Sequence, residues 1–164
     1  MNMDALPKEF ERNIETQKQA IFTSIFVIQN RLQTVCDDLD TEITIKQWLL
    51  LAMTTSFSSP PTLTALGKLM GCSRQNAKKL AAALEDKGFL RIQQSEAKAS
   101  AASVVLEAKA QEYGESAKEL HRDVLELLFQ DFGDEELARF FGGIKKLYTG
   151  IERIEKLAEG RKGA

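Results

Sequence analysis

The sequence predicts a mainly α-helical protein built around a winged helix-turn-helix, with a two-stranded β-hairpin as the wing and long helices at both ends. Three observations predict this fold. Apolar residues recur at helical spacing over long stretches near both ends of the chain. In the middle, Gly71 and Gly88 each end a short helical pattern. Two short stretches suited to strands follow the second glycine.

The first helix is predicted over residues 7–39. Pro7 suits its first turn, and the apolar residues after it fall at steps of three, four and seven. Phe22, Phe26 and Val27 widen the apolar stripe beyond one face. Because a helix that is apolar on more than one side is buried on more than one side, the second contact is expected to be another subunit.

The next two helices are bounded by residues that break or cap a helix. The second helix is predicted over residues 44–57, and the prolines at 60–61 stop it because proline clashes with the preceding turn and lacks a donor. Thr62 or Thr64 can cap a short third helix that runs to Met70.

The fourth helix is predicted over residues 74–87, with Ser73 as its N-cap. One face is apolar and carries Ala77, Leu80, Ala81 and Leu84. We expect this face to pack on three leucines of the third helix, Leu63, Leu66 and Leu69. The opposite face carries long polar side chains, namely Arg74, Gln75, Asn76, Lys78 and Lys79.

The rest of the chain is predicted as a hairpin followed by two long helices. The strands are expected over residues 89–94 and 103–107, joined by a stretch rich in alanine and serine. One helix then runs from Lys109 to near residue 132. Asp134 can cap the last helix, which is expected to end in a frayed tail at residues 160–164.

The charge is unevenly distributed along the chain. Between Thr62 and Lys98, seven basic residues stand against three acidic ones, a local charge of +4 in a chain whose net charge is −2. A basic middle in an acidic frame favours a surface that meets a polyanion. A face that is simply solvated is the alternative.

The polar face of the fourth helix has the chemistry of a surface that reads DNA. The major groove, about 12 Å wide, admits one helix, and arginine, asparagine and glutamine can each bond a base edge with two hydrogen bonds. The helix N-terminus at Ser73 offers free backbone N–H groups to a phosphate. We therefore expect Arg74, Gln75 and Asn76 to read bases. Phosphate contacts are expected from Lys68, Lys78, Lys79, Arg91 and Lys98.

Three segments of the chain resemble the MarR family of dimeric transcriptional regulators. They are LTALGKLMGCSRQNAKKL at residues 63–80, LEDKGFL at 84–90 and VVLEAKA at 104–110. The resemblance implies an intertwined homodimer that binds double-stranded DNA at a pseudo-palindromic operator through helix 74–87 of each subunit. It implies an N-terminal dimerisation helix at 1–43, a DNA-binding lobe at 44–108 and C-terminal dimerisation helices at 109–164.

The resemblance also implies a ligand-responsive protein, and a repressor is the expected role. Many members of the family bind a small, often aromatic or phenolic, ligand in a cleft between the dimer helices and the DNA-binding lobe. Because the second helix borders that cleft in the resembled fold, Trp48 and Phe26 are the expected ligand contacts.

The hairpin departs from the family pattern. The family usually carries an acidic residue and an arginine at the tip of the hairpin, with the arginine reaching the minor groove. Residues 94–103 contain no arginine, no Gly, Asn or Asp for a tight turn, and only Lys98 as a positive charge. We expect a mobile wing with weaker phosphate contact. A winged-helix protein-interaction module that has lost DNA binding is the alternative function.

Other residue types indicate no enzyme, cofactor or metal site. Cys36 and Cys72 match no metal or redox spacing, and we expect buried packing thiols, with redox sensing as the alternative. His121 has no Cys or His at ligand spacing. The chain also lacks an apolar run of the roughly 20 residues that span a bilayer. No membrane partner and a cytoplasmic location are expected.

Overall fold

The computed structural model describes residues 13–95 and 98–162. The helices are α1 (Ile14–Leu39), α2 (Ile45–Thr54), α3 (Leu63–Leu69), α4 (Arg74–Asp86), α5 (Ala108–Ser116), α6 (Lys118–Phe129) and α7 (Asp134–Lys162). The strands are β1 (Leu90–Ser95) and β2 (Lys98–Leu106), paired antiparallel. This order of elements confirms the predicted winged helix-turn-helix. The chain forms two compact units, the first ending at Tyr113 and the second beginning at Gly114.

The core of the first unit lies among α2, α3, α4 and the hairpin. Its largest fully buried side chains are Phe89, Leu50, Leu63, Leu66, Leu84, Leu90 and Val104. The hairpin places Leu90 opposite Leu106 and Ile92 opposite Val104. The Val104 amide also donates to the carbonyl of Pro61 at 2.9 Å, which attaches β2 to the start of α3. The wing is therefore anchored to the helices at its base.

Both predicted glycine stops are confirmed. Gly71 has a φ of 66° and Gly88 a φ of 80°, a region that other residues rarely adopt. After α4, the Phe89 amide donates to the Leu84 carbonyl and the Gly88 amide to the Glu85 carbonyl, both at 2.9 Å. This pair of bonds is a Schellman motif, and it turns the chain directly from α4 into β1.

Several boundaries differ from the sequence prediction. The start expected at Pro7 lies outside the described residues, and α1 is capped by the Asn13 side chain, which accepts from the Glu15 amide at 2.9 Å. Helix α2 ends at Thr54, and Phe57 belongs to a hydrogen-bonded turn. Strand β2 begins at Lys98, earlier than expected. Alanine and serine suit strands poorly, but pairing with β1 holds this stretch as a strand.

Three further predictions for the helices were wrong. The helix expected from Lys109 onward is two helices, because α5 ends at Ser116, close to Gly114, and both are weak helix formers. Asp134 is the first residue of α7 rather than its cap, and the Glu136 carboxylate instead accepts from the Gly133 amide at 3.0 Å. The expected frayed tail is helical as far as Lys162.

Leu69 is more exposed than expected for a residue predicted to pack on α4. Its side chain is 48% exposed, whereas Leu63 and Leu66 are buried. At 3.6 residues per turn the inward face of α3 runs from Leu66 to the half-buried C-cap Met70, and Leu69 points to one side of it.

Large apolar faces are exposed in both units. Helices α1 and α6 contain no buried residue. The exposed apolar side chains of α1 are Ile14, Ile21, Phe22, Ile25, Phe26, Ile28, Val35 and Leu39. In the second unit they include Leu125, Leu127, Leu128, Phe140, Phe141, Tyr148, Ile151, Ile154 and Leu157. Faces of this size on one protomer are typical of surfaces that another chain covers.

Candidate nucleic-acid interface

Helix α4 begins at a capped, exposed end. The Ser73 hydroxyl accepts a hydrogen bond of 3.1 Å from the Asn76 amide, which confirms Ser73 as the N-cap. Behind this end, Ala77, Ala81 and Leu84 are fully buried against the neighbouring helices. The helix is thus fixed along one face by apolar packing, while its first turn remains open to solvent.

The polar face of α4 lies on the surface, as the sequence predicts. Arg74, Gln75, Asn76, Lys78 and Lys79 are all exposed. Because the helix turns by about 100° per residue, Gln75 and Lys79 form the stripe directly opposite the buried Ala77 and Ala81. Arg74 and Lys78 flank that stripe on one side, and Asn76 flanks it on the other.

The segment that carries this face contains only positive charges. Residues 62–84 contain four basic residues, Lys68, Arg74, Lys78 and Lys79, and no acidic residue. The acids of α4 lie at the far end of the helix, where the Glu85 carboxylate accepts from the Ile92 amide at 2.6 Å. The free N–H groups and the positive end of the helix dipole add to the charge at Ser73. The surface is therefore suited to an anion.

The wing contributes less charge than the sequence suggests. The Arg91 Nε lies 3.0 Å from the Glu107 Oε1, so a phosphate would compete with a carboxylate for this guanidinium. Both side chains are about half exposed. Sequence reasoning missed Glu107, which has the opposite charge. It directly follows β2 and lies two residues beyond Val105, the residue opposite Arg91 in the hairpin. The side chain of Lys98 lies outside the described part of the structure.

The two residues predicted to contact a ligand lie on different helices. Trp48 is half-buried on α2. Phe26 is 55% exposed on α1, where its ring meets that of Phe22 edge to face at a centroid distance of 5.2 Å. A role for either residue in ligand binding stays a prediction.

Neither of the two cysteines is in a disulfide bond. Cys36 and Cys72 are free and half-buried. Burial and the neighbouring Asp37 raise the pKa of Cys36, which opposes the thiolate that a redox sensor needs. In the described ranges, no group of three His, Cys, Asp or Glu side chains could hold a metal ion. Among the same residues, no helix is long and apolar enough to cross a membrane.

The sequence matches no protein-family model and no curated protein. The fold, by contrast, matches solved structures. A MarR/EmrR family transcriptional regulator from Acinetobacter sp. ADP1 superposes with a TM-score of 0.72 at 19% identity, covering 86% of this chain and 99% of the other. The chain has the MarR fold.

Two other structures with the MarR fold carry a bound molecule. Streptococcus pneumoniae FabT, solved in complex with DNA, matches with a TM-score of 0.61 at 20% identity, over 84% of this chain and 99% of the other. The organohalide-sensing regulator RdhR, in its 2,4-dichlorophenol-bound form, matches with a TM-score of 0.72 at 14% identity, over 92% and 89%. All three relatives are described as transcriptional regulators or bind DNA, and none is described as an enzyme.

Proposed function

We propose that this protein is a DNA-binding transcriptional regulator of the MarR family, acting as a cytoplasmic homodimer, and that it has no enzymatic activity. The observation that carries the proposal is the exposed first turn of α4, whose surroundings at residues 62–84 contain four basic residues and no acidic one. The FabT–DNA complex shares this fold, which supports the same use of it. Arg74, Gln75 and Asn76 would read bases.

The exposed apolar faces support the proposed dimer. Eight large apolar side chains of α1 are at least 43% exposed in the protomer, and covering them with a second copy removes them from water. A twofold dimer presents two copies of α4 to one duplex. Because the dimer is twofold, the operator would be a pseudo-palindrome. Half-sites one turn apart would need recognition helices about 34–36 Å apart.

A ligand-responsive repressor is the form of regulation that we propose. The RdhR structure contains 2,4-dichlorophenol, so the fold can accommodate a small phenolic ligand. In this chain, Trp48 and Phe26 would contact such a ligand. A ligand that binds more tightly when the two α4 helices have a different separation shifts the dimer towards that separation. The affinity for DNA then falls by an amount set by this difference in ligand affinity.

A second function is favoured by one observation at the wing. Because Glu107 neutralises Arg91 and residues 94–103 contain no arginine, the hairpin has little fixed positive charge. A winged helix of this kind could bind another protein instead of DNA. Under this alternative the exposed side chains of α4 would contact a polypeptide.

A titration of mixed-sequence duplex DNA at low salt separates the two functions. A regulator binds any duplex through its phosphate contacts, and log K falls linearly with log salt, by about 0.9 per phosphate contact. We expect measurable binding by the wild type and its loss in the triple variant Arg74→Ala, Lys78→Ala, Lys79→Ala. The matched control Lys46→Ala, at an exposed lysine of α2, should retain binding. No binding by the wild type at low salt would favour the interaction module.

A further inference from the structure

A polar cluster, outside the proposed DNA surface, joins the end of α1 to the end of α4. Asp40 is the C-cap of α1, and its Oδ1 accepts from the Glu42 amide at 2.9 Å and the Ile43 amide at 3.2 Å. Its Oδ2 accepts a hydrogen bond from the hydroxyl of the buried Tyr113. The Asp37 Oδ1 also accepts from the Ile45 amide at 2.6 Å, so two carboxylates fix the turn between α1 and α2.

Lys87 ties this turn to α4. It is the C-cap of α4, and its Nζ donates to the Glu42 carbonyl at 2.6 Å and to the Gln47 Oε1 at 3.4 Å. The bond to Glu42 spans 45 residues of sequence. The end of the proposed recognition helix is thus held directly against the turn that follows α1.

Lys109 adds a second tie at the same point. Its Nζ lies 3.2 Å from the Glu42 Oε1 and donates to the Lys87 carbonyl at 3.1 Å. It also lies 4.5 Å from the centre of the buried Phe89 ring. Glu42 consequently bonds to Lys87 through its carbonyl and to Lys109 through its carboxylate. We call these three residues, Glu42, Lys87 and Lys109, the latch.

We propose that the latch positions α4 relative to α1 and thereby selects the spacing between the two half-sites of the operator. The inference rests on the proposed function, since it assumes that α1 lies in a dimer interface and that α4 reads DNA. Stability alone is a weak reason for the cluster, because partly exposed ion pairs such as Glu42–Lys109 contribute little to it.

The length of α4 makes its anchored end important. At 1.5 Å per residue, its 13 residues span about 20 Å. A rotation of about 10° at the latch therefore moves the first turn by about 3 Å, close to the 3.4 Å between successive base pairs. Loosening the latch should let each α4 reach neighbouring registers on the duplex.

The first test measures affinity for operators whose half-sites are one base pair closer, unchanged or one base pair further apart. The double variant Lys87→Met, Lys109→Met keeps the side-chain length and removes both ties, and Lys46→Met is the control for an exposed lysine. The wild type and the control should prefer one spacing by about tenfold or more, on the scale of one mismatched pair. The double variant should prefer it by less than about threefold, with unchanged base preference within each half-site.

An unchanged spacing preference in the double variant would overturn the latch. A change of base preference within the half-sites would also overturn it, because the lysines would then be DNA contacts. Lys109→Arg retains a charged donor and should keep the wild-type preference. If the double variant melts far below the wild type, the two single variants are compared instead, and each should lose part of the preference.

The second test needs no DNA and separates failure of the latch from failure of the proposed function. Spin labels at Gln75→Cys, in a background of Cys36→Ser and Cys72→Ser, report the distance between the two α4 helices of a dimer. We expect a narrow distance distribution that broadens in the double variant and not in Lys46→Met. An equally narrow distribution, or a monomer with no intersubunit distance, overturns the latch. If the distribution broadens in the double variant but the wild type binds no duplex, the latch still positions α4 and the proposed function is contradicted.

Discussion

The Cys72 amide donates a hydrogen bond of 2.8 Å to the carbonyl of Gly67, closing the turn between α3 and α4. The Gly71 amide donates to the Lys68 carbonyl at 3.2 Å, so the turn is a Schellman motif like the one that ends α4. A Cβ at Gly67 would lie only 3.0 Å from the Cys72 carbonyl oxygen and 3.3 Å from the Arg74 nitrogen. A glycine at position 67 thus allows the start of α4 to lie close against α3.

Gly67→Ala should destabilise the protein and displace the first turn of α4. The new methyl group meets backbone atoms that cannot rotate away, and overpacking of this kind costs about 1–3 kcal/mol. Chemical denaturation measures the loss. Gly71→Asn, in the same turn, is the control, because asparagine tolerates a positive φ and nothing lies within 4 Å of a Cβ there. Equal stability of Gly67→Ala and the wild type would contradict the close approach.

Arg74→Ala should relax the sequence preference of DNA binding. An arginine that bonds a guanine with two hydrogen bonds contributes about 1–3 kcal/mol of discrimination. Affinities for a matched operator and for operators changed at single positions measure the effect. Ser73 and the cap should be unaffected, so an unchanged circular dichroism spectrum is the control. If the affinity for the operator stays the same, Arg74 does not read a base.

Lys79→Ala should weaken binding to all duplexes alike. Loss of one phosphate contact reduces the slope of log K against log salt by about one. Titrations at several salt concentrations, with specific and mixed-sequence duplexes, measure the slope. Lys79 lies on the same outward stripe as Gln75, which is proposed to read a base. A loss of affinity for only some sequences would therefore contradict this prediction. It would move Lys79 from the phosphate contacts to the base contacts.

Tyr113→Phe should lower the stability of the protein and change its response to alkali. Burial, followed by the bond to Asp40, raises the pKa of Tyr113. The folded state therefore holds this proton more tightly than the unfolded chain, and the stabilisation is complete below the ordinary tyrosine pKa of about 10 and is lost as pH rises above it. At neutral pH the bond to a carboxylate contributes about 1.5–3 kcal/mol.

Denaturant titrations from neutral to alkaline pH measure this response. The free energy of unfolding should fall more steeply above about pH 10 in the wild type than in Tyr113→Phe. The control Tyr148→Phe removes the other tyrosine of the chain, which is 67% exposed on α7. Parallel alkaline curves for the wild type and Tyr113→Phe would mean that the buried hydroxyl has no such role.

Phe22→Asp should weaken the proposed homodimer. Phe22 is 63% exposed and contacts Phe26 on the apolar face of α1, so a carboxylate there would be buried without a partner in the interface. Sedimentation equilibrium at micromolar concentration should shift from dimer towards monomer. Asn30→Asp adds the same charge at an exposed polar position, opposite the isoleucine stripe of α1, and should remain dimeric. A wild type that is already monomeric would remove the twofold arrangement.

Elements with local signals could be predicted from the sequence. Ser73 as a cap and Gly71 and Gly88 as stops act on their immediate neighbours, so the bounds of α4 follow from a short stretch of sequence. The start of β2 could not be predicted in this way, because pairing with β1 overrides the weak strand preference of alanine and serine. The end of α5 was missed because the apolar stripe continues through the break.

The exposed face of α4 was also predictable, since the helical period assigns each residue to a face. The bonding partners of the basic residues that follow α4 were not predictable. Arg91 pairs with Glu107 across 16 residues, and Lys87 bonds to Glu42 across 45. Such contacts depend on how separate elements pack, which one sequence does not reveal. Two residues that look like free surface cations are therefore already bonded.

Selection of bound sites from random duplex DNA tests the central claim most directly. The wild type should enrich a pseudo-palindrome whose half-sites are centred about one duplex turn, 10–10.5 base pairs, apart. Selection with Arg74→Ala should lose the preference at one position of each half-site while keeping the spacing. An enriched pool without a repeated half-site, or identical pools from the two proteins, would contradict recognition of DNA by the first turn of α4.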